Sequence, residues 1–339
     1  MPRSAVPPQS WTDPAWLAEV RAWVDSRLAE NGAQVTGKVT QPHTPWWSTA
    51  LRVPTSEGVV WFKAARDPAG FEARLAEMLE QIAPRRSAEL VASDPDRAWM
   101  LTRDAGTRLR EHAQGLEQLR CWEELLPPYA ELQGELSGRV DELLAIGVPD
   151  LRLPVVASLG ERLSQDVDML QTAPEDALDD AELAEFRDRG TAELRRLCDE
   201  LGSRGIPDSL QHDDFHDGNT FVRAGDYVFF DWGDACISHP FHTLVVTLRV
   251  LGYKLGLPPG APELLRLRDA YLEPWSAHGT RAELLEAADL ARRTGTVQRA
   301  LAWYDFVQRM PPELRHEEQD SVPYGVRLFL RNGDWGTWC

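Results

Sequence analysis

Residues 210–235 read LQHDDFHDGNTFVRAGDYVFFDWGDA. Two short apolar runs, Thr220–Val222 and Tyr227–Phe230, flank the turn sequence Arg223-Ala224-Gly225-Asp226, so the stretch predicts a β-hairpin. His212, Asp213, Asp214, His216, Asp217 and Asn219 crowd just before the first strand, and Asp231 and Asp234 follow the second. A hairpin sets the start of one strand beside the end of the other, which brings the two polar groups together. So many carboxylates in one place are costly unless a cation neutralises them. A hard divalent ion such as Mg²⁺, held by one amide oxygen, one carboxylate and substrate phosphates, suits Asn219 and Asp231.

Upstream, Val59–Ala64 (VVWFKA) is strongly strand-like and carries Lys63. Ser48–Val53 reads as a strand joined to it by the turn Pro54–Gly58, Gln34–Val39 alternates loosely, and Trp99–Thr102 is a further short strand. A helix is predicted from Gly70 to Ala83, with Phe71, Leu75, Met78, Leu79 and Ile82 on one face and Pro84 as its stop. On a 100° wheel Glu72 borders that apolar face, whereas Glu77 and Glu80 point away. An inward carboxylate needs a cation, and Lys63 is the obvious one. A leading helix starts at Asp13-Pro14, repeats apolar residues at Trp16, Leu17, Val20, Trp23, Val24 and Leu28, and ends at Asn31-Gly32.

Beyond Arg103-Asp104-Ala105-Gly106 the chain reads as helical, over 116–136, 139–146, 159–170, 180–202, 239–256, 261–278, 281–309 and 321–331, with the hairpin stretch as the one β interruption. The expected fold class is α+β in two lobes. Residues 1–104 form a small β-rich lobe with an antiparallel sheet, and residues 105–339 form a larger helical lobe containing 210–235. Net charge is −18, carried almost wholly by the second part, where 24 basic face 41 acidic residues. That balance disfavours nonspecific nucleic-acid binding and leans toward a cationic ligand. Cys121, Cys198, Cys236 and Cys339 lie far apart with no C-x-x-C, which fits neither a zinc site nor a disulfide framework and suggests a reducing cytoplasm. The first sixteen residues lack an apolar signal core, and Leu244–Leu257 is too short and too charged to span a bilayer. Trp335 and Trp338 read as packing anchors. Trp303, Tyr304 and Phe306 with Asp305 could form a pocket for an ammonium group or simply pack in the core.

Asp214 lies five residues before Asn219, and Asp231 lies twelve after it. The pattern H-x-D-x-H-x-x-N, here His212, Asp214, His216 and Asn219, resembles the aminoglycoside phosphotransferase and choline kinase superfamily. The resemblance implies a two-lobed protein-kinase-like fold and transfer of the γ-phosphoryl group of ATP to a small-molecule hydroxyl. It implies that Asp214 accepts or orients the acceptor's proton, that Asn219 and Asp231 hold Mg²⁺, and that Lys63, paired with Glu72, holds the ATP phosphates. By the same resemblance, Met100, Leu101, Thr102 and Arg103 form the hinge for adenine, and the loop Thr44–Thr49, including Ser48, covers the phosphates. His212, His216 and Asp234 would support the site.

The sequence departs from the family where Asp213 replaces a usual glycine and where His239 stands before Pro240 in place of an acidic residue. It also lacks G-x-G-x-x-G and A-P-E signatures, which separates it from protein kinases. Acceptors accepted across the superfamily include aminoglycosides and other antibiotics, with resistance as the role, and choline-, homoserine- or sugar-type metabolites. Two other classes remain open on the residues: a non-catalytic nucleotide-binding module, and a hydrolase with zinc on His212, Asp214 and His216. Oligomeric state is not encoded in any motif.

Overall fold

A computed structural model describes residues 11–66 and 69–332, so Trp335, Trp338 and Cys339 lie outside the described residues. The chain forms two compact units. The first runs to Gly106 and takes in Phe221–Gly233; the second comprises Thr107–Thr220 and the chain from Asp234 onward. The hairpin, assigned from sequence to the helical lobe, therefore packs with the first unit. Its reason is specific pairing. The Phe229 amide donates to the Arg86 carbonyl at 2.8 Å, Arg85 grips Asp226 with both ends of its guanidinium, and Val228 packs with Ala88 and Ala105.

In the first unit, helix α1 (Pro14–Glu30) begins as its sequence predicts, with Asp13 Oδ1 accepting from the Ala15 amide at 2.7 Å. Strands β1 (Thr40–His43), β2 (Ser48–Thr55), β3 (Gly58–Ala65), β4 (Leu90–Asp94) and β5 (Trp99–Arg103) form one antiparallel sheet in the order β1-β2-β3-β5-β4. The loosely alternating Gln34–Val39 makes only a bridge from Val35 to Thr55. β4 was not foreseen: all five of its residues are half-buried, which leaves no alternation to read.

The pleat of β3 sorts its side chains. Val60, Phe62 and Ala64 go into a core with Trp16, Val20 and Trp23 of α1, while Lys63 falls on the opposite face. Phe62, Trp16, Trp23 and Trp99 meet edge to face, with centroids 5.4 to 6.3 Å apart. Helix α2 (Glu72–Ile82) starts with Glu72 buried at 3% exposure.

The second unit is mainly helical, with long helices at Glu117–Ser137, Thr191–Gly202, Thr243–Leu255, Arg281–Arg309 and Ser321–Leu330. The helix expected over 159–170 is instead two, Leu153–Leu163 and Val167–Gln171. Pro154 starts the first, and Asp166 caps the second by accepting from the Met169 amide at 3.0 Å. A two-stranded antiparallel pair, Ser209–Gln211 with Cys236–Ser238, brackets the stretch that carries the polar residues. Among the described residues no helix is long and apolar enough to cross a membrane.

His239 and His242 are both about 1% exposed. Burial lowers the basicity of both imidazoles, to about 3 for His242, whose nitrogens sit 2.8 and 2.9 Å from the Ser238 and Thr294 hydroxyls. An unfolded histidine takes up a proton below pH ~6.5 while the folded one does not. The unfolded state is then favoured as pH falls from there toward 3, by up to about 1.4 kcal/mol per pH unit for each histidine. Urea midpoints measured between pH 7 and 5 should fall less steeply for His242→Gln than for the parent; equal slopes would remove His242 from the account.

Candidate active site

Each unit carries its own cluster of polar groups. In the first, β3 and α2 bring Lys63 Nζ 2.7 Å from Glu72 Oε1, and the end of the hairpin brings Asp231 Oδ1 within 2.5 Å of the same ammonium. Burial acts to deprotonate Lys63, but the charges of Asp231 and Glu72 outweigh it and hold its pKa above the ordinary lysine range. Burial pushes the Glu72 carboxyl up, and Lys63 opposes that shift. Asp231 sits at φ 65°, a left-handed conformation that a short polar side chain tolerates. The adjoining turn places Ala224 at φ 52° and Gly225 at φ 89°, the two positive values of a type I′ hairpin.

In the second unit the loop after Gln211 is shaped by buried hydroxyls. Tyr129 accepts from the His212 amide at 3.1 Å, and Thr247 donates to the Phe215 carbonyl at 2.8 Å. Phe215 stacks on Tyr129 at 4.0 Å and meets Trp122 edge to face. His212 is fully buried beside Phe215.

The Gly218 amide donates to His216 Nδ1 at 2.9 Å, so the proton of the neutral ring is on Nε2, 3.2 Å from Asp214 Oδ2. A side chain at residue 218 would press on the His216 ring and displace the end of the Arg110 side chain. Asn219 Nδ2 donates to the carbonyl and to Oδ2 of Asp214, each at 3.0 Å. That commits the nitrogen end of the Asn219 amide and leaves its oxygen as the end suited to a cation.

Asp213 and Asp214 separate by burial. Asp213 is 1% exposed and bound to Arg299 Nη1 at 3.0 Å; the Asp214 side chain is 26% exposed and bound to Arg299 Nη2 at 3.2 Å. Burial alone would raise the Asp214 pKa, but the His216 hydrogen bond and the Arg299 charge hold it below the usual carboxylate range. Arg299 was not singled out from sequence. It lies 85 residues away on a helix, with no local motif to mark it. The buried Asp217 carboxylate has its own cations, the more exposed Lys254 at 2.5 Å and Arg110 at 3.4 Å.

Other expectations change. Met100, Leu101 and Thr102 are interior to β5, which pairs with β3 on one edge and β4 on the other, so their backbone groups are committed to the sheet. Ser48 and Thr49 belong to β2 and are buried; only Thr44–Trp47 form the preceding turn. Asp234 is exposed and adds its negative field to Arg299.

Among the described residues no three His, Cys, Asp or Glu side chains gather to hold a metal by themselves. Together with the burial of His212 and the use of both His216 nitrogens, this argues against the zinc arrangement. An amide oxygen and a carboxylate, the donor set of Asn219 and Asp231, are hard oxygen ligands of the kind Mg²⁺ takes when phosphates complete its shell.

Solved structures share the protein-kinase-like fold of small-molecule kinases. The ethanolamine kinase of Plasmodium vivax superposes with a TM-score of 0.59 at 11% identity, covering 87% of this chain and 84% of that one. For a choline kinase of Cryptosporidium parvum the values are 0.58, 11%, 93% and 95%, and for a macrolide 2'-phosphotransferase of Brachybacterium faecium 0.55, 14%, 90% and 97%. No curated protein matches by sequence. The model of the phosphotransferase enzyme family matches residues 50–285, well over half of the 339, and the chain therefore belongs to that family of small-molecule kinases.

Proposed function

We propose that this protein transfers the γ-phosphoryl group of ATP to a hydroxyl of a small molecule. The observation that carries the reading is the Lys63 ammonium held between Glu72 and Asp231. Two of its three N–H donors are spent on those carboxylates, and the third is left to bind a phosphate oxygen. Asn219 and Asp231 would hold Mg²⁺, which when bound supplies the positive charge that offsets the phosphates.

The acceptor oxygen attacks the γ-phosphorus, the bond from that phosphorus to the β,γ-bridging oxygen breaks, and ADP leaves with those electrons. The hydroxyl proton passes to Asp214. With its pKa held low, Asp214 is ionised at neutral pH and is a weak base, so it orients the hydroxyl first and takes the proton late. His216 and Asn219 fix the Asp214 carboxylate in place, and Asp213 serves Arg299 as a buried counter-ion.

The test is ADP release from Mg-ATP across amino sugars, aminoglycosides, amino alcohols and hydroxy acids, beside calorimetric titration of nucleotide with and without Mg²⁺. Release that depends on an acceptor is expected. Asp231→Asn should weaken nucleotide binding in the presence of Mg²⁺ by tenfold or more; unchanged affinity removes its metal role. A protein that binds no nucleotide would leave the kinase-like binding module and the transfer reading both without support.

A further inference from the structure

Within the helical unit a cavity of about 210 Å³ lies among the helices Thr243–Leu255, Arg281–Arg309 and Ser321–Leu330. Arg299 is part of its wall, and the same guanidinium holds Asp213 and Asp214. A molecule in the cavity is thus one side chain from the Asp214 carboxylate.

The charge of this cavity is opposite to that of the unit around it. Among the described residues its lining includes Arg249 and Arg299 and no carboxylate. Arg299 has two carboxylate partners. Arg249 has none among the described residues, and its recorded contact is with the Tyr324 ring, 5.4 Å from its centroid. Arg299 lies over Trp303 in the same way, at 5.1 Å.

A half-buried guanidinium without a counter-ion is unfavourable. Stacking on an aromatic face holds its plane while its five N–H donors stay at the edge, a geometry matched to the two oxygens of a carboxylate or phosphate. The cationic acceptor expected from composition has no matching feature here. Trp303 stands beside arginine, Tyr304 donates to Asp166 at 2.8 Å, and Asp305 is exposed and paired with Arg309.

We propose that the acceptor is a small hydroxyl compound bearing an acidic group, and that Arg249 binds that group. The proposal rests on the phosphotransfer reading for the role of Asp214. Trp303 and Tyr324 flank the bound molecule, and Ser321 offers it a hydroxyl. The volume equals about seven waters at ~30 Å³ each, below the ~300–1,000 Å³ of sites for drug-sized ligands, so the acceptor is of metabolite size.

Four probes share one frame and differ in a single substituent: glycerol, glycerate, glycerol 3-phosphate and 3-amino-1,2-propanediol. Binding is read by ligand-observed NMR with Mg-ATP present, and turnover by ADP release, for the parent protein, Arg249→Gln and Arg249→Lys. One or both anions should bind at least tenfold better than glycerol or the amine, and the pair separates carboxylate from phosphate recognition. Arg249→Gln should weaken the anion by about 10- to 100-fold, as an increase in KM with little change in kcat, and Arg249→Lys should restore part. Equal binding of all four probes, or anion binding unchanged in Arg249→Gln, overturns the proposal. Anion binding that needs Arg249 but yields no ADP supports the anion site and counts against phosphotransfer alone. Turnover that prefers the amine does the reverse.

Discussion

Asp214→Asn should lower kcat by about 10²- to 10⁴-fold, the range that a positioned proton acceptor contributes, while nucleotide affinity stays within a few-fold of the parent. The amide keeps the size of the carboxylate but cannot accept the hydroxyl proton. The partners of Asp214 are His216 Nε2, Asn219 Nδ2 and Arg299 Nη2, all donors, and an amide oxygen still satisfies some of them. The fold should therefore survive, as a urea midpoint close to the parent's would verify. Asp213→Asn is the discriminating control. Its carboxylate is buried against Arg299, so its loss should appear mainly in stability, because it leaves Arg299 short of a counter-ion. A turnover loss as deep in Asp213→Asn as in Asp214→Asn, at equal stability, would move the role to the buried residue.

Lys63→Met should cost about 3–5 kcal/mol of folding stability and abolish turnover, because it strands Glu72 as a buried carboxylate without its cation. Glu72 then takes up a proton more readily. Its folded pKa lies above the unfolded value, so the folded state binds the extra proton and the penalty grows as pH rises above ~4.3 through the folded pKa. Denaturant titrations at pH 5 and pH 7.5 should show the larger loss at pH 7.5. The double variant Lys63→Met/Glu72→Leu removes the stranded charge and should recover most of the stability but none of the activity. A single variant within 1 kcal/mol of the parent would mean that Lys63 is no partner of Glu72 in solution.

Burial could not be read for Asp213 and Asp214, which are adjacent, alike in chemistry and equally polar in sequence. Five-residue spacing to Asn219 is what favours Asp214 in the sequence, whereas the structure distinguishes the two by exposure: one carboxylate is sealed behind Arg299 and the other is partly open. The pairing of Met100, Leu101 and Thr102 on both edges of their strand was hidden for a comparable reason. Whether a strand's backbone is free depends on whether β4 lies along its far edge, and the half-buried LVASD segment carries no period that announces a strand.

By itself the sequence determined what local rules govern. The β-hairpin follows from a two-residue turn with glycine, the facing of Lys63 from strand alternation, and the inward position of Glu72 from helical periodicity. The family pattern over residues 212–231 rests on spacing alone and was legible in the same way. Tertiary structure alone decided which unit the hairpin joins, that Arg299 reaches Asp213 and Asp214 across 85 residues, and that Arg249 lines a cavity with no counter-ion among the described residues. Local signals extend over a turn of helix or one strand pair. Contacts between distant segments are selected by how whole helices and sheets pack, and they leave no mark on the neighbouring residues.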